Sequence, residues 1–225
     1  MLTTRFSRIL VLVLLIAAPM GGVADIVERI DSLLTLYDES QGTEKKRVGQ
    51  KLLDIYAKAD VFFSEPPTLS GKSAKRGMPK DSVDLTVWFS TERYFTVKSF
   101  YDKALVYNDR AMRLVTKQQT DIHCTLLCDR TYCLFKQSEY TEATAVGQQA
   151  VALSQQTDNQ LQLSRAYLYL SLVNHSMRDY EQAKKLVLKS IETNDKLGVN
   201  VQTHNVLGVA CEIFCSAHEV DQSIE

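Results

Sequence analysis

Apolar residues recur every three or four positions along most of this chain, which is the spacing of one face of an α-helix. Between residues 25 and 38, apolar residues on one helical face include Ile26, Ile30, Leu33, Leu34 and Tyr37. Residues 44–63 repeat that spacing, and the polar segment 39–43 suits a turn between two antiparallel helices. The pattern therefore predicts an N-terminal helical hairpin over residues 25–63.

From residue 83 to residue 225 the pattern predicts one helix after another, without the alternation typical of strands. Short polar joints separate these helices, near residues 98–99, 117–120, 137–139, 156–159, 177–179 and 198–200. Residues 64–82 differ, because Pro66, Pro67, Pro79 and several basic residues interrupt any helical spacing. We expect an exposed loop there.

The helical part of the chain contains an internal repeat. Each copy places a tyrosine three positions before an alanine and a second small residue seven positions after it. The copies are Tyr101-Ala104-Ala111, Tyr140-Ala143-Ala150 and Tyr180-Ala183-Ser190, and a fourth begins near His204. Self-similarity at a fixed period indicates stacked units of one kind. We predict an all-α fold, a helical-hairpin repeat solenoid, with repeats at about residues 85–123, 124–163, 164–203 and 204–225.

This repeat resembles the tetratricopeptide repeat, whose first helix reads Trp-x2-Leu-Gly-x2-Tyr. The four copies read Trp88-x2-Thr91-Glu92-x2-Phe95, Leu127-x2-Arg130-Thr131-x2-Leu134, Tyr167-x2-Leu170-Ser171-x2-Asn174 and Leu207-x2-Ala210-Cys211-x2-Phe214. Three features depart from the family. Asn108, Gly147 and Val187 replace its second-helix aromatic residue, the closing proline is missing, and the period is longer. The resemblance covers roughly residues 85–225 and implies a superhelix in which the first helices line a groove.

The resemblance also implies which side chains face that groove. The candidate partner-binding residues are Phe89, Arg93, Thr96, Cys128, Tyr132, Phe135, Arg165, Leu168, Leu172, His175 and Glu212. Aromatic anchors beside arginines suit the binding of an extended peptide or a partner helix. An alternative is that some of the apolar residues pack against a later repeat.

The N-terminus has the features of a secretory signal peptide. Arg5 and Arg8 precede the apolar run Ile9–Ala18, and Gly21, Gly22 and Ala24 follow it. We expect residues 1–24 to be a signal peptide and the protein to be exported to the periplasm. The chain has 26 Lys plus Arg against 27 Asp plus Glu, which gives no basic footprint for nucleic acid.

These features together predict a non-catalytic binding module for a protein or peptide partner. The arrangement is similar to the exported N-terminal region of bacterial membrane-anchored sensor histidine kinases and related regulators. A free periplasmic scaffold for envelope protein assembly is the alternative. The last residues begin a helical turn without a polar cap, and solenoids need a capped terminal repeat, so we expect the natural protein to continue beyond Glu225. An output domain such as a kinase would lie there.

The five cysteines are Cys124, Cys128, Cys133, Cys211 and Cys215. The first three lie in the second repeat and the last two in the fourth, which is too far apart for a disulfide between the two groups. We therefore predict free thiols that serve mainly in packing, with Cys128 and Cys215 the most accessible. A metal site made of Cys211, Cys215 and His218 is the sharper alternative, although structural zinc usually has four ligands. No cofactor and no catalytic set of residues is indicated.

Overall fold

The computed structural model describes residues 23–58, 81–200 and 202–224. All regular secondary structure in those ranges is α-helical. The chain divides into two compact units, Met1–Lys58 and Ala59–Glu225, which we describe separately. The helices are α1 (Val23–Glu39), α2 (Gly42–Lys58), α3 (Asp81–Val97), α4 (Tyr101–Met112), α5 (Thr120–Lys136), α6 (Tyr140–Gln156), α7 (Gln160–Ser176), α8 (Tyr180–Asp195) and α9 (Thr203–Ile224).

The N-terminal unit contains the predicted hairpin of α1 and α2. Ile30 and Tyr37 of α1 and Val48 and Leu52 of α2 are completely buried, so the apolar stripes predicted from the sequence form its core. Gly42 starts α2 with φ 58°, a left-handed conformation that glycine adopts without steric cost. The predicted second helix extends to residue 63, but its last five residues, 59–63, lie outside the described part of the chain.

The C-terminal unit is built from successive helices that pack on their neighbours. Each helix from α3 to α9 contacts the next one along the chain. The odd-numbered helices α3, α5, α7 and α9 also contact one another in order. This arrangement is an all-α helical repeat, in which the first helix of each hairpin contacts the first helix of the following hairpin.

Three turns within hairpins have the same backbone structure, in register with the sequence repeat. Ser99, Ser138 and Arg178 adopt φ between 64° and 65°. In each case the following residue donates its N–H to a carbonyl five positions earlier, at 2.9–3.0 Å, from Phe100 to Phe95, Glu139 to Leu134 and Asp179 to Asn174. This is the Schellman arrangement that ends helices with one left-handed residue. The predicted joints at 98–99, 137–139 and 177–179 are confirmed.

Small residues lie where the helices approach most closely. The repeat alanines Ala104, Ala143 and Ala183 are completely buried. Gly147 has no room for a side chain, because a Cβ atom there would lie 2.6 Å from Leu170 Cδ2 and 3.1 Å from Thr131 Cγ2. The glycine therefore fits α6 between the first helix of its own hairpin and that of the next.

Helix α4 is shorter than the sequence pattern suggested. It ends at Met112, whereas the predicted joint begins at residue 117. The Gln119 side chain accepts hydrogen bonds from both the backbone N–H and the hydroxyl of Thr116, each at 3.0 Å. Such local side-chain bonds compete with helical hydrogen bonding, and here they hold a turn before α5.

Helix α9 is longer than the repeat predicts. His218 is the position equivalent to Ser138 and Arg178, yet α9 continues as a helix through it to Ile224. The helical turn predicted for the last residues is therefore part of α9 up to Ile224, not the start of a separate helix.

Two predictions fall on residues that the structure does not describe. The signal peptide, apart from Val23 and Ala24 at the start of α1, lies outside the described residues. So does the predicted loop 64–82, apart from Asp81 and Ser82, which begin α3. Among the described helices, none combines the length and apolar character that crossing a membrane requires.

Candidate partner-binding groove

A groove of about 540 Å³ runs across the first helices of the C-terminal unit. It takes side chains from α3, α5, α7 and α9, the helices that contact one another in order. The turn before α4 and the first residue of α4, Tyr101, also line it. Most of the predicted partner-binding residues lie along it. These are Arg93, Thr96, Tyr132, Phe135, Arg165, Leu168, Leu172 and Glu212.

Three predicted residues do not line this groove. Phe89 is buried, and the guanidinium of Arg93 lies over its ring at 5.7 Å. Phe89 therefore packs against the groove residue Arg93 without lining the groove itself. His175 is half-buried and contacts the ring of Tyr180 edge-on at 5.5 Å. The expectation that Cys128 faces the groove is wrong. Its thiol is buried at the contact of α5 with α7, 3.5 Å from the carbonyl oxygen of Gln162.

Three tyrosines, one each from α4, α5 and α7, form an aromatic row in the groove. The ring of Tyr132 on α5 lies 6.1 Å from that of Tyr101, which begins α4, and 5.0 Å from that of Tyr169 on α7. Burial raises the pKa of both Tyr132 and Tyr169, so both phenols remain neutral near neutral pH. The row therefore offers ring faces and uncharged hydroxyl groups to a ligand.

A buried ion pair joins two of the helices that form the groove. Arg165 on α7 donates to Asp129 on α5 at 2.5 Å, and both side chains are about 95% buried. Arg165 also donates to Gln162 Oε1 at 3.0 Å and to the Tyr169 hydroxyl at 3.3 Å. Burial alone lowers the pKa of Arg165, but Tyr169 and Asp129 outweigh it and the pKa is raised, so the guanidinium stays charged.

A second carboxyl group lies beneath Thr96. Glu92 on α3 is completely buried and accepts a hydrogen bond from the Thr96 hydroxyl at 2.9 Å. The same hydroxyl is 3.3 Å from the Cys133 sulfur atom. Burial, followed by the charge of Asp129, raises the pKa of Glu92 well above its ordinary value. Glu92 therefore stays protonated to a higher pH than an exposed glutamate does.

Charged side chains lie at different places in the groove. Arg93 is partly exposed, with its guanidinium 3.9 Å from the Asp129 carboxylate. Lys136 is exposed, and its ammonium group lies over the rings of Tyr132 and Phe135 at 5.3 and 5.4 Å. Glu212 lies across the groove on α9. Apart from the buried Arg165–Asp129 pair, positive charge therefore comes from Arg93 on α3 and Lys136 on α5, and negative charge from Glu212 on α9.

The groove contains residues that sequence reasoning missed. Tyr101, Asp129, Lys136 and Tyr169 all line it. Tyr169 and Lys136 directly follow the predicted residues Leu168 and Phe135. A wider stripe on each first helix would have included them, whereas Tyr101 resembles a packing residue of the second helix.

The described part of the chain contains no candidate metal-binding site. No group of three or more His, Cys, Asp or Glu residues there is arranged to hold an ion. The metal site considered as an alternative in the sequence analysis consists of Cys211, Cys215 and His218. The side chain of His218 is not among those that the structure describes.

Comparison with protein-family models and with curated proteins finds no match to this chain.

Proposed function

We propose that residues 83–225 form an array of tetratricopeptide-like repeats that binds a peptide or protein partner without catalysing a reaction. The observation that carries this proposal is the groove of about 540 Å³ lined by α3, α5, α7 and α9. A groove formed by the first helix of each successive repeat is the binding surface that the family resemblance implies.

The tyrosine row gives the groove its anchoring surface. The ring of Tyr132 already contacts those of Tyr101 and Tyr169. Ligand binding would therefore restrict the rotation of few additional side-chain bonds. Buried aromatic and arginine residues dominate binding energy at protein interfaces. We therefore assign apolar anchors of the partner to this row.

The charged residues supply orientation. An acidic group of the partner would lie near Arg93 and Lys136, and a basic group near Glu212. Because Arg93 and Lys136 retain contact with water, their contribution is expected mainly in association rate and salt dependence.

We further propose that this binding module is the periplasmic sensing region of a bacterial signal-transduction regulator. The proposal rests on the resemblance in arrangement, a signal peptide followed by repeats. A free periplasmic scaffold for envelope proteins is the alternative.

A fusion of the full 225-residue chain to alkaline phosphatase tests export, since that enzyme is active only after export. An inactive fusion would contradict both readings while leaving groove binding intact.

Site-specific photocrosslinking tests the groove itself. A benzophenone side chain replacing Lys136 should crosslink a discrete partner in living cells, because position 136 lies on the exposed edge of the groove. The matched control is the same probe at Val106, which is 52% exposed on α4 and does not line the groove.

Tyr132→Ala should weaken the Lys136 crosslink, and Tyr167→Ala serves as its control because Tyr167 does not line the groove. Thermal melts of both variants show whether they remain folded. Equal crosslinking from positions 136 and 106, or an unchanged crosslink in folded Tyr132→Ala, would contradict groove binding.

A further inference from the structure

The buried ion pair beneath the tyrosine row has one unmet hydrogen-bonding group on each member. Arg165 uses Nη1 for Gln162, and Nη2 for Asp129 Oδ1 and the Tyr169 hydroxyl. Its Nε–H has no acceptor, and Asp129 Oδ2 has no hydrogen-bond donor, among the described residues. The two side chains are only 4% and 5% exposed, so each unpaired group carries a desolvation cost. A ligand that supplied both missing partners would remove that cost.

These two groups belong to the floor of the groove. Asp129 and Arg165 both line it, and Asp129 Oδ2 faces another groove residue, Arg93. The Nη1 atom of Arg93 lies 3.9 Å from Oδ2, which is beyond hydrogen-bond distance. Because the Arg93 side chain is 15% exposed, a ligand group can displace its guanidinium from Oδ2 without breaking a hydrogen bond.

An ionised ligand group fits these two atoms poorly. An ammonium or guanidinium group would add a third cation beside Arg93 and Arg165, and would leave Nε–H without an acceptor. A carboxylate would leave Asp129 Oδ2 without a donor and would place a second negative charge beside it. Like charges at close range disfavour the ionised forms. The pair therefore favours a neutral group that both donates and accepts.

A primary carboxamide has this combination. Its NH₂ group donates, its carbonyl oxygen accepts, and both are attached to the same carbon atom. A main-chain peptide unit is less suitable, because in its trans form the N–H and the C=O point in opposite directions. Among the side chains of a peptide, those of asparagine and glutamine carry a carboxamide.

We propose that the groove recognises its peptide partner by an asparagine or glutamine side chain, whose carboxamide donates to Asp129 Oδ2 and accepts from Arg165 Nε–H. The aliphatic part of that side chain packs against the neighbouring rings of Tyr132 and Tyr169. The inference rests on the proposed peptide-binding function and adds the identity of the side chain bound at the floor of the groove. Arg165 then has two roles, since it also joins α5 to α7.

A displayed library of random short peptides, selected on the purified 225-residue chain, provides the probe. Peptides whose binding is lost in Tyr132→Ala and retained in Tyr167→Ala occupy the groove, because only Tyr132 lines it. These peptides should share an asparagine or glutamine at one position. Changing that residue to aspartate or leucine in a synthetic copy should weaken binding by about ten-fold or more, measured by fluorescence anisotropy. A site with unpaired buried polar groups discriminates against analogues that leave them unpaired.

Asp129→Asn should reverse the preference between the two polar forms of the peptide. The substitution places an N–H donor where Oδ2 lies, so a carboxylate can accept from it and from Arg165 Nε–H. We expect this variant to bind the aspartate form more tightly than the asparagine form. A purely structural role of Asp129 would weaken both forms equally. The matched control is Asp109→Asn, which should keep the original preference because Asp109 is 52% exposed, pairs with Arg130 and does not line the groove.

The outcomes separate this inference from the proposed function. Groove-binding peptides without a shared asparagine or glutamine, or equal binding of the asparagine and leucine forms, would overturn the inference and leave groove binding intact. Those results would assign the two unpaired atoms to ordered water. A library without any Tyr132-dependent peptide would contradict the proposed function, and this inference with it. Because the peptide comparison uses the original chain, it remains decisive if Asp129→Asn fails to fold.

Discussion

The guanidinium of Arg165 on α7 and the carboxylate of Asp129 on α5 form a buried ion pair 36 positions apart in the sequence, with a donor–acceptor distance of 2.5 Å. Arg165 was predicted to contact a partner in the groove. Its burial also gives it a structural role, because it joins two neighbouring first helices and holds the Tyr169 hydroxyl at 3.3 Å. The ion pair therefore supports the groove from beneath the tyrosine row.

Removing one member of this pair should destabilise the protein strongly. Arg165→Met leaves the buried Asp129 carboxylate without its closest cation, and such changes cost about 3–5 kcal/mol. Urea unfolding of the purified chain measures the change. The matched control is Arg130→Met. Arg130 pairs with Asp109 and Glu142, whose side chains are 52% and 53% exposed, so its loss should cost about 0–1 kcal/mol. Equal destabilisation by the two variants would contradict the structural role of Arg165.

Two helical glycines should respond to alanine in opposite directions. Gly147→Ala places a Cβ atom 2.6 Å from Leu170 Cδ2 and 2.8 Å from Leu170 Cγ, and overpacking of this kind costs about 1–3 kcal/mol. Gly208→Ala meets nothing within 4 Å and should gain about 0.5–1 kcal/mol from helix propensity. Thermal melts of both variants check this, and a Gly147→Ala protein more stable than Gly208→Ala would show that the register is wrong.

The buried carboxyl of Glu92 should make stability fall as pH rises. Its pKa in the folded protein is raised, so the folded state binds the proton more tightly than the unfolded state does. The stabilising contribution is therefore complete below the ordinary pKa of 4.5 and is lost as pH increases towards the raised value. The groups that set this shift include Asp129, Arg93 and Arg165, which remain in place in the variant.

Glu92→Gln keeps the shape of the side chain and removes the titration. Its stability relative to the original chain should be similar near pH 4 and increasingly favourable as pH rises above 4.5 towards the raised pKa. Urea unfolding at several pH values measures this difference. A difference in stability that stays constant with pH would mean that the pKa of Glu92 is the same in the folded and unfolded states.

The cysteines should fall into two reactivity classes. Cys124, Cys128 and Cys133 are buried, and burial raises the pKa of the Cys128 thiol to about 12, so these thiols should be alkylated only on unfolding. Cys211 and Cys215 are exposed and should be alkylated in the native protein. Mass spectrometry after alkylation without reductant distinguishes the classes. Rapid native labelling of Cys128, or a Cys128–Cys211 disulfide, would contradict the packing of α5 against α7.

The sequence by itself determined the helices and their register. Apolar spacing and polar joints are local properties, so they located the N-terminal hairpin and the turns near Ser99, Ser138 and Arg178. The repeated alanines also identified the close contacts between helices, because only small residues allow such an approach. The same register brought most of the predicted groove residues to one surface.

Only the tertiary structure decided which polar side chains are buried in the C-terminal unit. Cys128 occupies a position that a repeat pattern assigns to the groove, but its thiol is buried at the contact of α5 with α7. Arg165 does line the groove, yet its side chain is only 4% exposed because it pairs with Asp129. Asp129 pairs with a residue on another helix, and periodicity along one helix contains no information about such a pair. The aromatic row likewise depends on Tyr101, Tyr132 and Tyr169 meeting from three helices.

The end of α9 shows the same division most clearly. A non-glycine residue in the left-handed conformation costs about 1–2 kcal/mol, and at Ser138 and Arg178 the packing of the second helix offsets that cost. At the equivalent position, His218, α9 instead continues as a helix to Ile224. The sequence determined where a turn would lie, and tertiary packing decided whether it forms.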